Sequence, residues 1–255
     1  MQKENTTNKG GNFDQPNVTG LAAKGAAVLR VLVACEESQT ITKAFRLLGH
    51  EAFSCDLLPC SGGHPEWHYQ CDVFEVIDKG WDLMIAHPPC TMIAGSSVQW
   101  LSHPEDKELP FEERRPHPKY PNRRKDMEES IEFVKRLYDC NIPKVAIENP
   151  VGLLGTRWRK ADQIIQPYQF GDEATKTTCL WLKGLPPLKH TKIVGKGERT
   201  VFASGKSHPK WYADALKNAR TKQERQTLRS KTFQGIADAI ANQWSKNEEY
   251  KTELF

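Results

Sequence analysis

The sequence has no long hydrophobic run. No apolar stretch approaches the roughly 20 residues that a membrane-spanning helix needs, which argues against a helical span. The amino-terminal residues are polar and lack the apolar core of a secretory signal. The chain also lacks a disulfide framework: its 7 cysteines are an odd number without regular spacing. With no export signal they are expected to stay reduced, in a cytosolic compartment. Neither sign of charge dominates. With 36 Lys and Arg against 32 Asp and Glu the net charge is +4, which permits contact with nucleic acid without demanding it. There is no internal repeat. What remains is the composition of a soluble globular protein, 27% charged and 38% hydrophobic, whose 255 residues can build one substantial domain or two small ones.

Residues 1–26 hold almost no large apolar side chain and read as a flexible leader. From Val28 the character changes. Val28–Ala34 reads as a buried first strand, and Gln39–Leu48 as a helix closed by Gly49. Glu51–Asp56 is a second strand, Tyr69–Asp72 a third, and Val73–Lys79 a helix. Leu83–His87 is an apolar fourth strand that must stop at Pro88 and Pro89, because proline removes backbone donors and restricts the residue before it. Met127–Tyr138 carries apolar residues at helical spacing, Lys144–Asn149 is a fifth strand stopped by Pro150, and residues 233–244 form a last amphipathic helix. Strands alternating with helices predict an α/β fold with a mostly parallel, doubly wound, Rossmann-like sheet. The domain spans residues 27–245, with an inserted charged, proline-rich loop at 102–125, a basic segment at 195–229 and a tail at 246–255. The basic segment interleaves Lys206, His208, Lys210, Trp211 and Tyr212, a mixture that suits a nucleic-acid surface as well as a solvated helix. The 7 tryptophans could likewise stack on a base or simply pack.

Several strand ends carry reactive or acidic side chains. Cys90 comes after the fourth strand on a loop stiffened by two prolines, where an open α/β sheet presents its reacting group, although free cysteine is also commonly packed. Asp56 ends the second strand, placed to accept ribose hydroxyls; Asp72 ends the third, placed to accept from an adenine amine; Glu148 ends the fifth. Each alone could be a cap or a surface acid. The first strand runs into Cys35-Glu36-Glu37-Ser38-Gln39, with no glycine-rich phosphate cradle. A pyrophosphate-bearing dinucleotide is therefore disfavoured against a nucleoside cofactor such as S-adenosylmethionine.

His87-Pro88-Pro89-Cys90 after an apolar strand resembles the proline-proline-cysteine motif of DNA cytosine-5 methyltransferases, and Glu148-Asn149-Pro150 resembles their glutamate-asparagine motif. The closer likeness is to short, phage-encoded cytosine methyltransferase-like proteins, and it runs from about Val28 to Trp244. Phe170–Leu182 looks like the family's segment of alternating arginines, and Ser230–Trp244 like its closing cofactor motif and helix. The resemblance implies an S-adenosylmethionine-dependent methyltransferase acting on carbon 5 of cytosine in duplex or single-stranded DNA, in the host cytoplasm if the chain is phage-encoded. It makes Cys90 the nucleophile and Glu148 the acid that holds the base. Cys35, Glu36, Asp56, Leu57, Asp72, Val73 and His87 fall on the cofactor side, and Pro89, Asn149, Lys176 and Thr178 on the substrate side.

The chemistry asks for these residue types. Carbon 5 of cytosine is a poor nucleophile until a thiolate adds at carbon 6, and a cysteine thiolate is both accessible and a good leaving group. In a duplex the base must leave the stack to be reached. Three departures stand out: the first motif lacks the family's glycines, Lys176 and Thr178 replace the alternating arginines, and no large recognition domain fits between Trp181 and Lys231. The last keeps RNA or a free cytosine nucleotide open as substrate, and the first keeps open a nucleic-acid- or nucleoside-binding protein without methyl transfer. Cys60, His64, His68 and Cys71 could in principle hold zinc, but their spacing matches no defensible pattern, so no metal is predicted.

Overall fold

A computed structural model describes residues 27–246; the leader and nearly all of the tail lie outside the described residues. Seven strands form one sheet: β1 (Arg30–Ala34), β2 (Glu51–Asp56), β3 (His68–Gln70), β4 (Leu83–Ala86), β5 (Lys144–Pro150), β6 (Gln163–Ile165) and β7 (Thr178–Lys183). Their order is β3-β2-β1-β4-β5-β7-β6. The first five run parallel, and β7 and β6 add antiparallel pairs at one edge. The reversal of strand order beside β1 and β4 is the topological switch of a Rossmann-like sheet. Alternation along the strands divides the core in two. Val31, Val33, Leu83 and Ile85 face helices α1 (Thr40–Leu47) and α6 (Gln234–Trp244), burying Ile41, Phe45, Ile236, Ile240 and Trp244. Leu32, Ala34, Met84, Val145 and Ile147 face α2 (Arg123–Asp139), burying Met127, Ile131, Val134 and Leu137. Such two-sided burial is why the central strands read as continuous apolar runs.

Several boundaries differ from expectation. The third strand ends at Gln70, two residues short of Asp72, and the predicted helix at 73–79 is one 3₁₀ turn, Val73–Glu75. The Asp72 side chain accepts from the Phe74 N–H while Glu75 accepts from the Asp72 N–H, a capping box that starts a turn too short to continue. Trp81 is buried behind that turn and donates to the Val76 carbonyl at 2.8 Å, so these apolar residues pack as a plug rather than a helical stripe. The 102–125 segment is folded rather than a plain solvated loop. Arg115 pairs with the buried Asp106 at 2.6 Å and holds its carboxyl down at about 2, and α2 begins inside the segment, at Arg123. The basic segment forms a hairpin, β8 (Arg199–Val201) with β9 (Ser207–Pro209), then α4 (Lys210–Asn218) and α5 (Lys222–Ser230). Trp81, Trp181 and Trp244 are core residues. Among the described residues no helix is long and apolar enough to cross a membrane.

Candidate active site

Register explains why the two sequence motifs meet. In the parallel β4–β5 pair Ala86 lies opposite Ile147, so the next residues, His87 and Glu148, emerge side by side at the carboxyl ends of their strands. His87 Nδ1 lies 2.9 Å from Glu148 Oε2, and both side chains are largely buried. His87 was expected on the cofactor side; the structure turns its Nδ1 to the glutamate instead. Asn149, expected to meet substrate, is buried and donates from Nδ2 to the Pro88 carbonyl at 2.8 Å, so it fixes the loop that carries Pro89 and Cys90. That loop is clasped to the chain leaving β5. Leu153 N–H donates to the Ile93 carbonyl at 2.7 Å and Gly95 N–H to the Val151 carbonyl at 3.1 Å. Gly152 is required between them, because a Cβ there would lie 2.1 Å from the Ile93 oxygen. Arg123, which no sequence signal singled out, donates from Nη2 to the Thr91 carbonyl at 2.7 Å and pins the other side of the cysteine loop.

Burial and the nearby Glu148 charge push the Cys90 thiol up, while its own backbone hydrogen bond, Lys176 and Arg229 pull it down without prevailing. For Glu148 the balance is reversed. Burial raises its carboxyl, but the His87 hydrogen bond and the Lys176 charge outweigh burial and hold it below its ordinary value. The resting site therefore carries a protonated thiol and an ionised glutamate, not a glutamate holding a proton in readiness for the base. Lys176 Nζ also donates to the Ser230 and Lys231 carbonyls, each at 3.2 Å, tying the carboxyl end of α5 over the site. Thr178 opens β7, with its hydroxyl donating to the Lys176 carbonyl at 3.1 Å. His87, Glu148, Lys176 and Thr178 line one slot together with Leu180, Thr232, Phe233, Ile236 and Ile240. Its open space is about 10 Å³, room for roughly one water molecule.

The neighbouring strand ends form a second cluster. Cys35 and Gln39 both take left-handed backbone, φ 58° and 56°, making with non-glycine residues the turn after β1 that glycines would make without strain. Glu36, expected on the cofactor side, is buried and committed elsewhere. Its carboxylate accepts from Ile41 N–H at 2.7 Å, Thr42 N–H at 3.3 Å and the Thr42 hydroxyl at 2.7 Å, closing the amino end of α1. Asp56 and Asp72 converge on Cys35: burial, then the charges of these two acids, push its thiol up to about 12. Each acid spends one oxygen on a local turn, on Leu58 N–H and on Phe74 N–H respectively, both at 2.9 Å, leaving the other oxygen free of a protein partner among the described residues. Leu57 stands 72% exposed at the end of β2, an apolar face beside the acids, and Val73 is buried beneath the Asp72 turn. Two free carboxylate oxygens next to an apolar surface suit the hydroxyls and flat base of a nucleoside. Their charge suits a cationic cofactor and opposes a pyrophosphate.

Among solved structures the chain is similar to the methyltransferase EhMeth of Entamoeba histolytica, with a TM-score of 0.42 and 13% identity over 77% of this chain and 62% of that one. It is similar also to the Dnmt2 methyltransferase of S. pombe, with a TM-score of 0.40 and 15% identity over the same shares. The chain thus spans 62% of the length of each. No family model matches the sequence, and no curated protein matches it.

His64 and His68 are engaged in local contacts. His68 donates from Nε2 to the Leu58 carbonyl at 2.9 Å and accepts at Nδ1 from the Ser54 hydroxyl at 2.8 Å, while His64 pairs with Glu66 and stacks on Trp67. Among the described residues no three His, Cys, Asp or Glu side chains are grouped to hold a metal ion. A larger hollow, about 350 Å³, lies apart from Glu148, between α4 and α5, where Trp211, Asp214, Asn218, Leu228 and Phe233 line it.

Proposed function

We propose that the protein transfers a methyl group from S-adenosylmethionine to carbon 5 of cytosine in DNA, through a covalent adduct with Cys90. The observation that carries this reading is that Glu148 and Lys176 line one slot at the ends of β4 and β5, near enough for their charges to act on Cys90, beside an acidic, apolar-faced edge fitted to a nucleoside. S-adenosylmethionine, when bound, supplies a methyl group on a positively charged sulfur. Asp56 and Asp72 would hold its ribose and adenine through their free oxygens, with the exposed Leu57 against the ring and the buried Val73 supporting the Asp72 turn from below. Cys90 adds to carbon 6, Glu148 holds the pyrimidine edge, and Lys176 offsets negative charge as the adduct forms. The slot is too small for a base, so the Lys231–Phe233 segment must yield as the base is flipped in. A same-fold enzyme acting on RNA or on a free cytosine nucleotide is the second reading. It is favoured by the small extent of the segment between β7 and α6, which holds two short strands and two short helices.

The test is trapping with 5-fluorocytosine in duplex DNA, single-stranded DNA and RNA, with S-adenosylmethionine present, for wild type and Cys90→Ala. Fluorine cannot leave carbon 5 as a cation, so a cytosine-5 transferase stalls as an adduct. The expected result is a covalent band on DNA that needs both the cofactor and Cys90. A band on RNA alone moves the reading to its alternative. Calorimetry showing no S-adenosylmethionine binding, with nucleic acid still bound, leaves a binding protein without methyl transfer.

A further inference from the structure

His87 enters above only as the hydrogen-bond partner that helps to keep Glu148 ionised. It is the residue that β4 delivers directly before the two prolines, its Nδ1 sits 2.9 Å from Glu148 Oε2, and it lines the same slot as Glu148 and Lys176. Its other nitrogen, Nε2, is buried and has no protein partner among the described residues. A buried imidazole nitrogen without a partner is uncommon and calls for a group that arrives with the ligand or with water. Glu148 has the converse problem. It must place a proton on ring nitrogen 3 of the base, yet at rest it is ionised, so that proton has to reach it from a neighbour.

We infer that His87 is that neighbour: a positioning residue that acts through Glu148, carrying the proton which Glu148 hands to the base. The inference rests on the cytosine-5 reading. In the step, which starts once the Cys90 thiol has lost its proton to solvent, the imidazolium form of His87 donates its Nδ1 proton to the Glu148 carboxylate. Cys90 thiolate forms the sulfur–carbon 6 bond, and the carbon 5–carbon 6 π pair moves to carbon 4–carbon 5. The carbon 4–nitrogen 3 π pair moves onto nitrogen 3, which takes the proton from Glu148. A thiolate and an imidazolium are consumed, and a neutral adduct and a neutral imidazole result, with Glu148 again a carboxylate. Nε2 keeps its proton throughout, and Nδ1 regains its own through Glu148 when ring nitrogen 3 releases it as the adduct breaks down. An imidazolium also cancels the carboxylate charge that opposes ionisation of Cys90. The other groups that act on the pair or its surroundings are Lys176 and Cys90, with Cys179 on β7 near Glu148 and Arg229 beyond Cys90.

The experiment compares wild type with His87→Asn, whose amide can still donate to Glu148 but cannot carry an exchangeable charge. Single-turnover methyl transfer is measured between about pH 5.5 and 9, a window that brackets the ordinary histidine range, with thermal melting as the check on folding. General acid catalysis contributes about 10²–10⁴-fold, so kcat should fall by about 100-fold or more with KM unchanged. The wild-type rate should level off above the ordinary histidine range, where loss of imidazolium offsets gain of Cys90 thiolate, whereas the rate of the variant should keep rising with the thiolate. A variant within about threefold of wild type, with the same pH profile, overturns the inference and leaves His87 as a mere hydrogen-bond donor, since general acid catalysis is worth far more. An activity-free readout separates this from failure of the cytosine-5 reading. The ¹⁵N resonances of His87 should titrate differently in wild type and in Glu148→Gln, and identical titrations overturn the proton-sharing pair even where the wild type forms no adduct.

Discussion

At the scale of single residues, Cys90 is set between opposing charges, and those charges are separable by mutation. Glu148 comes after burial as a cause of its suppressed ionisation, and Lys176 works in the opposite direction. Glu148→Gln should therefore move Cys90 alkylation by iodoacetamide to lower pH, and Lys176→Met should move it to higher pH, each read on the Cys90 peptide by mass spectrometry. Shifts of the reverse sign would show that Cys90 does not respond to this pair. Much of this site was legible in the sequence, because proline stops a strand and thereby marks the side chain delivered just beyond it. The commitment of Glu36 to α1 was not legible, since a carboxylate five residues ahead of a helical N–H meets it only once the turn at Cys35 has folded back.

At the scale of elements, the site depends on how the Cys90 loop docks on the chain leaving β5. Gly152 permits two backbones to touch there, and a methyl group would meet the Ile93 oxygen and the Ala94 Cα at 2.1 and 2.9 Å. Gly152→Ala should cost about 1–3 kcal/mol of stability, as overpacking does. In the reaction proposed for Cys90, its larger effect should be on kcat, about 10²-fold, because displacing a reacting group by an ångström is that costly. Melting and single-turnover rates on one preparation measure both. A loss of stability without a matching loss of rate would show that the clasp does not set the position of Cys90. The predicted helix at 73–79 failed for a local reason. The capping box at Asp72 and Glu75 begins a turn, but Val76, Ile77 and Trp81 are pulled into the core instead of extending it.

At the scale of the whole molecule, charge is unevenly spread. Residues 195–231 carry 10 Lys and Arg against 3 Asp and Glu, although the whole chain is nearly balanced at 36 against 32. The hairpin β8–β9 with α4 and α5 therefore forms a basic flank beside the slot, joined to it by Lys176 and by the shared Thr232 and Phe233. If a polynucleotide is the substrate, its affinity should fall steeply with salt, and Lys217→Ala and Arg225→Ala should each flatten the log–log salt slope by about 1. Fluorescence anisotropy at a series of salt concentrations measures this. Salt-insensitive binding, or slopes unchanged in both variants, would turn attention to a mononucleotide.

The sequence by itself determined the alternation of buried strands and helices, and with it an open, mostly parallel sheet. It did so because hydrophobic period and proline act locally. It also marked Cys90, Glu148 and Asp56, residues that come at or just beyond the ends of strands, and Asp72, which lies two residues past its own. Only the tertiary structure decided which of these side chains share a site and in what ionisation state. Strand register set His87 against Glu148, the antiparallel return of β7 brought Lys176 to both, and the closing of α5 over the slot came from a lysine reaching carbonyls more than fifty residues away. Such contacts between distant segments leave no periodic trace in a sequence, because they depend on the path of the chain and not on the composition of any one stretch.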